Sequence, residues 1–202
     1  SLPDYIFTFG RYWHQFISST SQLLPVGYPY RDEEVERLDE YSLGSKQSHV
    51  LTVFGNGIDT YLYVALCRNL VHDLPLCNLE IVFRPHPCEA NSKILDSLPS
   101  SVAIDDSPSP YTTFQKSCYI ITSHSTCIYE AQGFLCNVLV YPSDHRTNHY
   151  PPGPSIFNSY PDLVHEIKLF ASQGDSSTRI PSSNVFAPGS LSNFNYYMKK
   201  FL

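Results

Sequence analysis

The chain is short of basic charge: 13 lysines and arginines stand against 19 aspartates and glutamates, for a formal net charge of −6. With no cationic surface to offer, it is not expected to bind nucleic acid or an anionic membrane through bulk electrostatics. Any anion it holds must be held locally, by a few side chains and backbone amides. No apolar run approaches the roughly 18 residues that a membrane helix needs, and the first residues lack a secretory signal pattern. Peripheral membrane association stays open. None of the six cysteines falls in a Cys-x-x-Cys pair, and their spacing fits no standard zinc module, so no bound metal is expected. Several of them lie in apolar patterns, where a thiol behaves as a small hydrophobe, so they are expected to be reduced and buried. Gly55-Asn56-Gly57 lacks the third glycine and the acidic residue of a dinucleotide fingerprint, which disfavours a dehydrogenase. Ser123-His124-Ser125 lacks the Gly-x-Ser-x-Gly elbow of a serine hydrolase.

What is present is an alternation. At 202 residues and 42% hydrophobic content, one well-buried domain is expected over 1–202. Its parts are leading strands and helices (1–45), a β-α core (46–142), then a loop and closing helices (143–202). Tyr5 to Phe9 reads as a strand, followed by a helical stretch from Arg11 to Ser18. A short strand is expected at Leu24 to Val26 and a solvated helix over Arg31 to Tyr41. Gly44 to Ser48 is a polar linker. Strands are then expected at His49–Phe54, Leu79–Phe83, Val102–Ile104, Cys118–Thr122 and Val138–Tyr141. Helices are expected between them, at Ile58–Val71, Glu89–Leu95, Ser109–Gln115 and Thr126–Gln132. Short apolar strands alternating with helices predict an α/β fold with a doubly wound, Rossmann-like parallel sheet. Pro142 to Pro154 should be loop, Tyr160 to Ala171 a helix capped by Ser159, Gln173 to Ser183 a polar loop, and Ser192 to Leu202 a closing helix. No internal repeat is evident beyond the β-α alternation.

Two strands end in groups that suit an anion. The run Ile81-Val82-Phe83 stops at Arg84-Pro85-His86-Pro87, where the prolines hold His86 in an extended loop. His86 can donate to a phosphoryl oxygen, and Arg84 can add a bidentate charged contact. The other strand ends in Ser123-His124-Ser125-Thr126, whose hydroxyls and backbone amides can face an anion or simply cap a helix. Glu130, one turn into that helix, could accept from ribose hydroxyls or form a surface pair. Asn56 and Gly57 form a weaker third element, a glycine turn that permits close approach of a ligand. In a doubly wound sheet all of these lie outside the carboxyl ends of strands, where ligands bind. Asp144, His145 and His149 are expected to be solvated loop residues, and Asp105-Asp106 a strand-end or turn pair.

These residues carry a resemblance. His86-Pro87 matches the His-Pro motif, and Ser123 to Thr126 the serine-rich motif, of GT-B glycosyltransferases of the bacterial capsule and surface-polysaccharide type. The likeness is to sialyltransferases and polysialyltransferases, with the CDP-glycerol glycerophosphotransferases of teichoic acid synthesis behind them. Pro3 to Gly10, Tyr12-Trp13 and Gly27-Tyr28-Pro29 look like the lead into the C-terminal half of such an enzyme. The teichoic-type enzymes usually carry Asp-Tyr-Ser-Ser where this chain has Thr122-Ser123-His124-Ser125.

The resemblance implies one half of a GT-B fold with C-terminal helices, binding the nucleotide-sugar donor, CMP- or CDP-linked. His86 would be the catalytic group that steadies the leaving phosphate, with Arg84, Ser123, Ser125, Thr126, Glu130, Asn56 and Gly57 as phosphate- and nucleotide-binding residues. The transfer would be inverting and need neither metal nor cofactor. The glycan acceptor and the general base would belong to an N-terminal domain that the chain lacks, so the chain alone is expected to be inactive. The location implied is cytoplasmic, at the inner face of the membrane. Two rivals are a sugar-nucleotide epimerase of related fold and a non-catalytic scaffold domain.

Overall fold

The computed structural model describes residues 2–40, 49–74, 77–89, 91–123, 125–131, 134, 136–141, 150, 153–173 and 185–201. Along the chain these form β1 (Tyr5–Thr8), a 3-10 helix (Arg11–Phe16), β2 (Gln22–Pro25) and α1 (Pro29–Glu40). Then come β3 (Val50–Phe54), α2 (Thr60–Asp73), β4 (Glu80–Arg84) and two 3-10 turns (Pro87–Glu89 and Lys93–Ser97). They are followed by β5 (Ala103–Ile104), α3 (Pro110–Lys116), β6 (Tyr119–Thr122) and α4 (Cys127–Glu130). The chain closes with β7 (Asn137–Val140), β8 (Ser155–Ile156), α5 (Tyr160–Gln173) and α6 (Ser190–Phe201). They belong to two compact units, 1–43 with 181–202, and 44–180.

The larger unit is a six-stranded, wholly parallel sheet in the order β5-β4-β3-β6-β7-β8. All five residues of β3 and all four of β6 are buried, as central parallel strands covered on both faces require. Leu51, Val53, Phe83, Tyr119 and Ile121 meet Tyr63, Val64, Cys67 and Leu70 of α2 and Leu163 and Ile167 of α5 in one cluster. The α2 residues fall at i, i+1, i+4 and i+7, one face of a helix. On the other face Phe54 stacks on Phe114 of α3 at 5.4 Å, and Phe134 packs against both Phe114 and Tyr111. Burying a phenylalanine such as Phe83 is worth about 2–3 kcal/mol.

The winding reverses once. From β3 the chain steps to β4 and β5 on one side, then returns to lay β6 against the free side of β3 and continues outward through β7 and β8. Helices therefore cover both faces, and the fold is the doubly wound, Rossmann-like α/β class expected.

Local differences are instructive. The Glu89–Leu95 stretch forms two short 3-10 turns instead of one helix, because Glu89 turns inward and Ser92 starts a fresh turn by accepting from the Ile94 amide. The first helical stretch is likewise a 3-10 helix. Ser155–Ile156, just beyond the Pro142–Pro154 stretch expected as loop, adds a two-residue edge strand to β7. Ser109 caps α3 with Pro110 in its first turn. At α5 the Ser159 hydroxyl receives the Asp162 amide and donates to its carboxylate. All six thiols are free; Cys67 and Cys118 are buried, Cys77, Cys127 and Cys136 are partly buried, and Cys88 is exposed. Gly44 to Ser48, His124, the Asp144, His145 and His149 trio, and nearly all of the 173–183 loop lie outside the described residues.

The smaller unit pairs β1 with β2 in parallel and joins α6 to the leading segment. Tyr5 stacks on Phe201 at 3.9 Å and Phe7 packs edge-on to Phe194. The Ser190 amide donates to Asp32 at 2.9 Å. Gly27, at φ +105°, must be glycine, since a Cβ there would lie 2.4 Å from the Ala187 carbonyl. Among the described residues no helix is long and apolar enough to cross a membrane.

Candidate functional site

Three loops leave the carboxyl ends of adjacent strands β4, β3 and β6. The reversal of winding falls between β3 and β6, so the crevice that doubly wound sheets use for ligands lies there.

The β3 loop begins at Gly55, whose amide extends the ladder to Arg84 O at 2.9 Å. Asn56 Oδ1 accepts the Ile58 and Asp59 amides at 2.9 and 2.8 Å, and its Nδ2 donates to Asp59. The expected ligand Asn56 is thus the organiser of its own turn. Gly57 has φ +79° and donates its amide to Glu89 Oε1 at 3.1 Å.

Glu89 is the residue that sequence reasoning missed. It is 3% exposed. Oε1 also accepts from Thr60 Oγ1 at 2.6 Å, while Oε2 accepts the His86 amide at 2.7 Å. One buried carboxylate therefore ties the β3 loop, the start of α2 and the β4 loop together. Gly55 makes room for it: a Cβ there would sit 2.0 Å from Oε2. The available signal was spacing alone, an acid three residues after a histidine in a proline-held turn.

With its backbone held by Glu89, His86 keeps its ring exposed. Nδ1 lies 3.0 Å from Cys88 Sγ and receives the Cys88 amide at 3.4 Å. Arg84 faces inward instead. Its guanidinium donates to Asp105 at 2.8 Å, Thr113 Oγ1 at 2.9 Å and Ser107 O at 2.9 Å. Arg84, expected as a phosphate ligand, is here paired with Asp105 and bolts β4 to α3. Asp105 likewise proves to be an ion-pair partner. Burial alone would raise its carboxyl, but hydrogen bonds from Ser107, Thr113 and Arg84 outweigh that and lower it to about 2.

On the β6 side, Ser123 is 1% exposed and hydrogen-bonds with Tyr63 OH at 2.5 Å. Burial of Tyr63 pushes its hydroxyl up to about 12, so it is a neutral partner at ordinary pH. Ser125 Oγ accepts the Cys127 amide at 3.2 Å. Thr126 is exposed and makes no capping bond. Glu130 is half-buried and accepts an internal hydrogen bond from Tyr111 OH. Beside them the Cys127 thiol is pushed up to about 11 by burial. A cavity of about 490 Å³ lined by His49, Leu74, Asn78 and Glu80 lies at the other, amino-terminal end of β3 and β4.

The structure therefore brings His86, Gly57, Asn56, Ser123, Ser125 and Thr126 to the carboxyl end of the sheet's inner strands. Of their side chains, His86 and Thr126 face outward, while Asn56 and Ser123 are held internally. Among the described residues no group of three or more His, Cys, Asp or Glu side chains could hold a metal ion.

A doubly wound, Rossmann-like α/β domain is the class that this sheet and its strand-end crevice define. No protein-family model and no curated protein matches the sequence. Solved structures do match in fold. The wall teichoic acid polymerase TagF matches with a TM-score of 0.59 at 16% identity, over 98% of this chain and 57% of its own. The polymerase was also solved as a variant soaked with CDPG, which matches at 0.58. The UDP-GlcNAc 2-epimerase of Methanocaldococcus jannaschii, in complex with UDP-GlcNAc and UDP, matches at 0.65 and 11% identity, over 98% of this chain and 61% of its own. The chain thus spans less than two thirds of the length of these proteins.

Proposed function

We propose that residues 44–180 bind the nucleotide of an activated donor, as one half of a GT-B-type transferase that builds a surface polysaccharide or related polymer. The observation that carries this reading is the Glu89 clamp. It holds an exposed histidine rigidly beside the switch point of a parallel sheet, where a preorganised donor can meet a developing phosphate charge. Support also comes from the fold likeness to TagF, solved with CDPG, and to an epimerase solved with UDP-GlcNAc.

In this reading His86 Nε2 donates to the leaving phosphate, with Thr126 and the Ser125 hydroxyl as neighbouring donors. A CMP- or CDP-linked donor fits the family resemblance. Transfer is inverting and independent of metal, and the acceptor and general base reside on another domain. The chain alone then binds nucleotide without transferring, and the whole enzyme works at the cytoplasmic face of the membrane. Calorimetric titration with CMP, CDP, UDP and GDP tests this. Millimolar or tighter binding of at least one nucleotide, weakened about tenfold by His86→Ala, supports it. Absence of binding to all four overturns it.

Two other readings have specific support. The epimerase has the higher TM-score, 0.65 against 0.59; conversion of UDP-GlcNAc by the protein would establish that activity. The internal pairing of Arg84, Asn56, Ser123 and Glu130 favours a non-catalytic partner domain, which would bind no nucleotide at all.

A further inference from the structure

His86 has a neighbour that none of the expected roles used. Cys88 Sγ lies 3.0 Å from His86 Nδ1 and 3.7 Å from the Gly57 carbonyl, and the Cys88 amide lies 3.4 Å from the same Nδ1. A backbone N–H can only donate, so Nδ1 must present its lone pair to the loop. The single thiol proton has two acceptors within reach, Nδ1 at 3.0 Å and the Gly57 carbonyl at 3.7 Å, and goes to the nearer, Nδ1. The neutral ring is left with its proton on Nε2, the nitrogen turned away from Cys88.

The wall behind this pair is fixed. A Cβ on Gly57 would stand 2.7 Å from Cys88 Sγ and 2.9 Å from His86 Nδ1, so the bare glycine backbone closes directly on the dyad. Glu89 holds the His86 amide and the Gly57 amide with its two oxygens. The imidazole is therefore constrained from its backbone, from Gly57 and from Cys88.

The geometry points to Cys88 as a positioning residue that sets the tautomer of His86, so that Nε2–H is presented outward as a hydrogen-bond donor to an anionic oxygen. The consequence for ligand affinity rests on the nucleotide-binding reading; the tautomer itself does not. Alkylation of the exposed Cys88 thiol probes this arrangement. A soft electrophile such as iodoacetamide forms an S–C bond to Cys88 and breaks its C–I bond, iodide leaves, and the thiol proton passes to solvent. The alkylated sulfur can no longer donate to Nδ1.

The test is long-range proton–nitrogen NMR on the chain labelled with ¹⁵N-histidine, at a pH of about 8 where an imidazole is neutral. His86 is assigned by the loss of its signals in a His86→Gln variant. The wild type should show a single Nε2–H tautomer for His86. Cys88→Ser, which keeps a donor, should preserve it, whereas Cys88→Ala and iodoacetamide treatment should give a mixture. An Nδ1–H tautomer in the wild type, or an unchanged signal in Cys88→Ala, overturns the inference. In parallel, CDP affinity should fall about fivefold in Cys88→Ala and recover in Cys88→Ser. If no nucleotide binds while the tautomer responds as described, the nucleotide reading fails and the positioning role of Cys88 stands.

Discussion

The loops on either side of the β3 exit are built on different principles. The β4 loop is held by a charge: Glu89 lies buried with both oxygens occupied by Gly57, Thr60 and His86, and the side chain it positions remains exposed. The β6 loop is held by neutral groups, with Ser123 buried against Tyr63 and Ser125 capping a four-residue helix. One loop presents a fixed side chain; the other presents Thr126 on a lightly held turn. The contrast teaches that a strand-end motif divides into residues that make the loop and residues that the loop presents. Sequence spacing alone does not distinguish the two.

The contrast can be broken most severely at Glu89. Glu89→Ala leaves the Gly57 and His86 amides without an acceptor in a buried site, and should cost about 3 kcal/mol in denaturant unfolding. Gly55→Ala should act similarly, since its Cβ would collide with the same carboxylate. Next in size is Arg84→Ala, which leaves Asp105 nearly buried and unpaired, at about 2 kcal/mol. Nucleotide affinity should change far less than in His86→Ala, because Arg84 faces the scaffold. An Arg84→Ala variant with wild-type stability would sink the assignment of that ion pair.

On the neutral side the effects should be smaller. Tyr63→Phe removes one hydrogen bond and should cost about 1 kcal/mol by the same unfolding measurement, leaving the β4 loop unaltered. Asp105 supplies a pH test. Its folded carboxyl is lowered to about 2 from 3.8, so the stability it contributes is present above about pH 4 and lost as pH falls through about 2. After allowance for solvent screening this amounts to about 1 kcal/mol. Melting temperatures measured down the acid limb should fall less steeply in Asp105→Asn than in wild type.

Much of the larger unit was legible in the sequence, for a physical reason. Central parallel strands are buried on both faces and read as apolar runs, so β3, β4, β6 and β7 stand out, with the helices over Ile58–Val71 and Ser109–Gln115 between them. The strand order was not written there, because alternation implies crossovers without fixing their direction. The edge strand at Ser155–Ile156 carries no apolar run and was hidden. At the site, His86 was visible because prolines mark it. Glu89 was not, since burial of a carboxylate is decided by partners 29 and 32 residues away. The inward partners of Arg84 were hidden too, because Asp105 follows β5 and Thr113 lies in α3, 21 and 29 residues away. The internal bonds of Asn56 and Glu130 were not legible for a related reason, in that a polar side chain beside a cleft also serves its own turn or an adjoining helix.

The central claim is that the carboxyl-end loops of β4, β3 and β6 take the nucleotide. Backbone-amide NMR of the chain during titration with CDP tests it most directly. The account predicts saturable shifts at Gly57, His86, Ser125 and Thr126, with little change around His49 and Glu80 at the opposite end of the sheet. Shifts confined to that opposite end, or none at millimolar CDP, would contradict it.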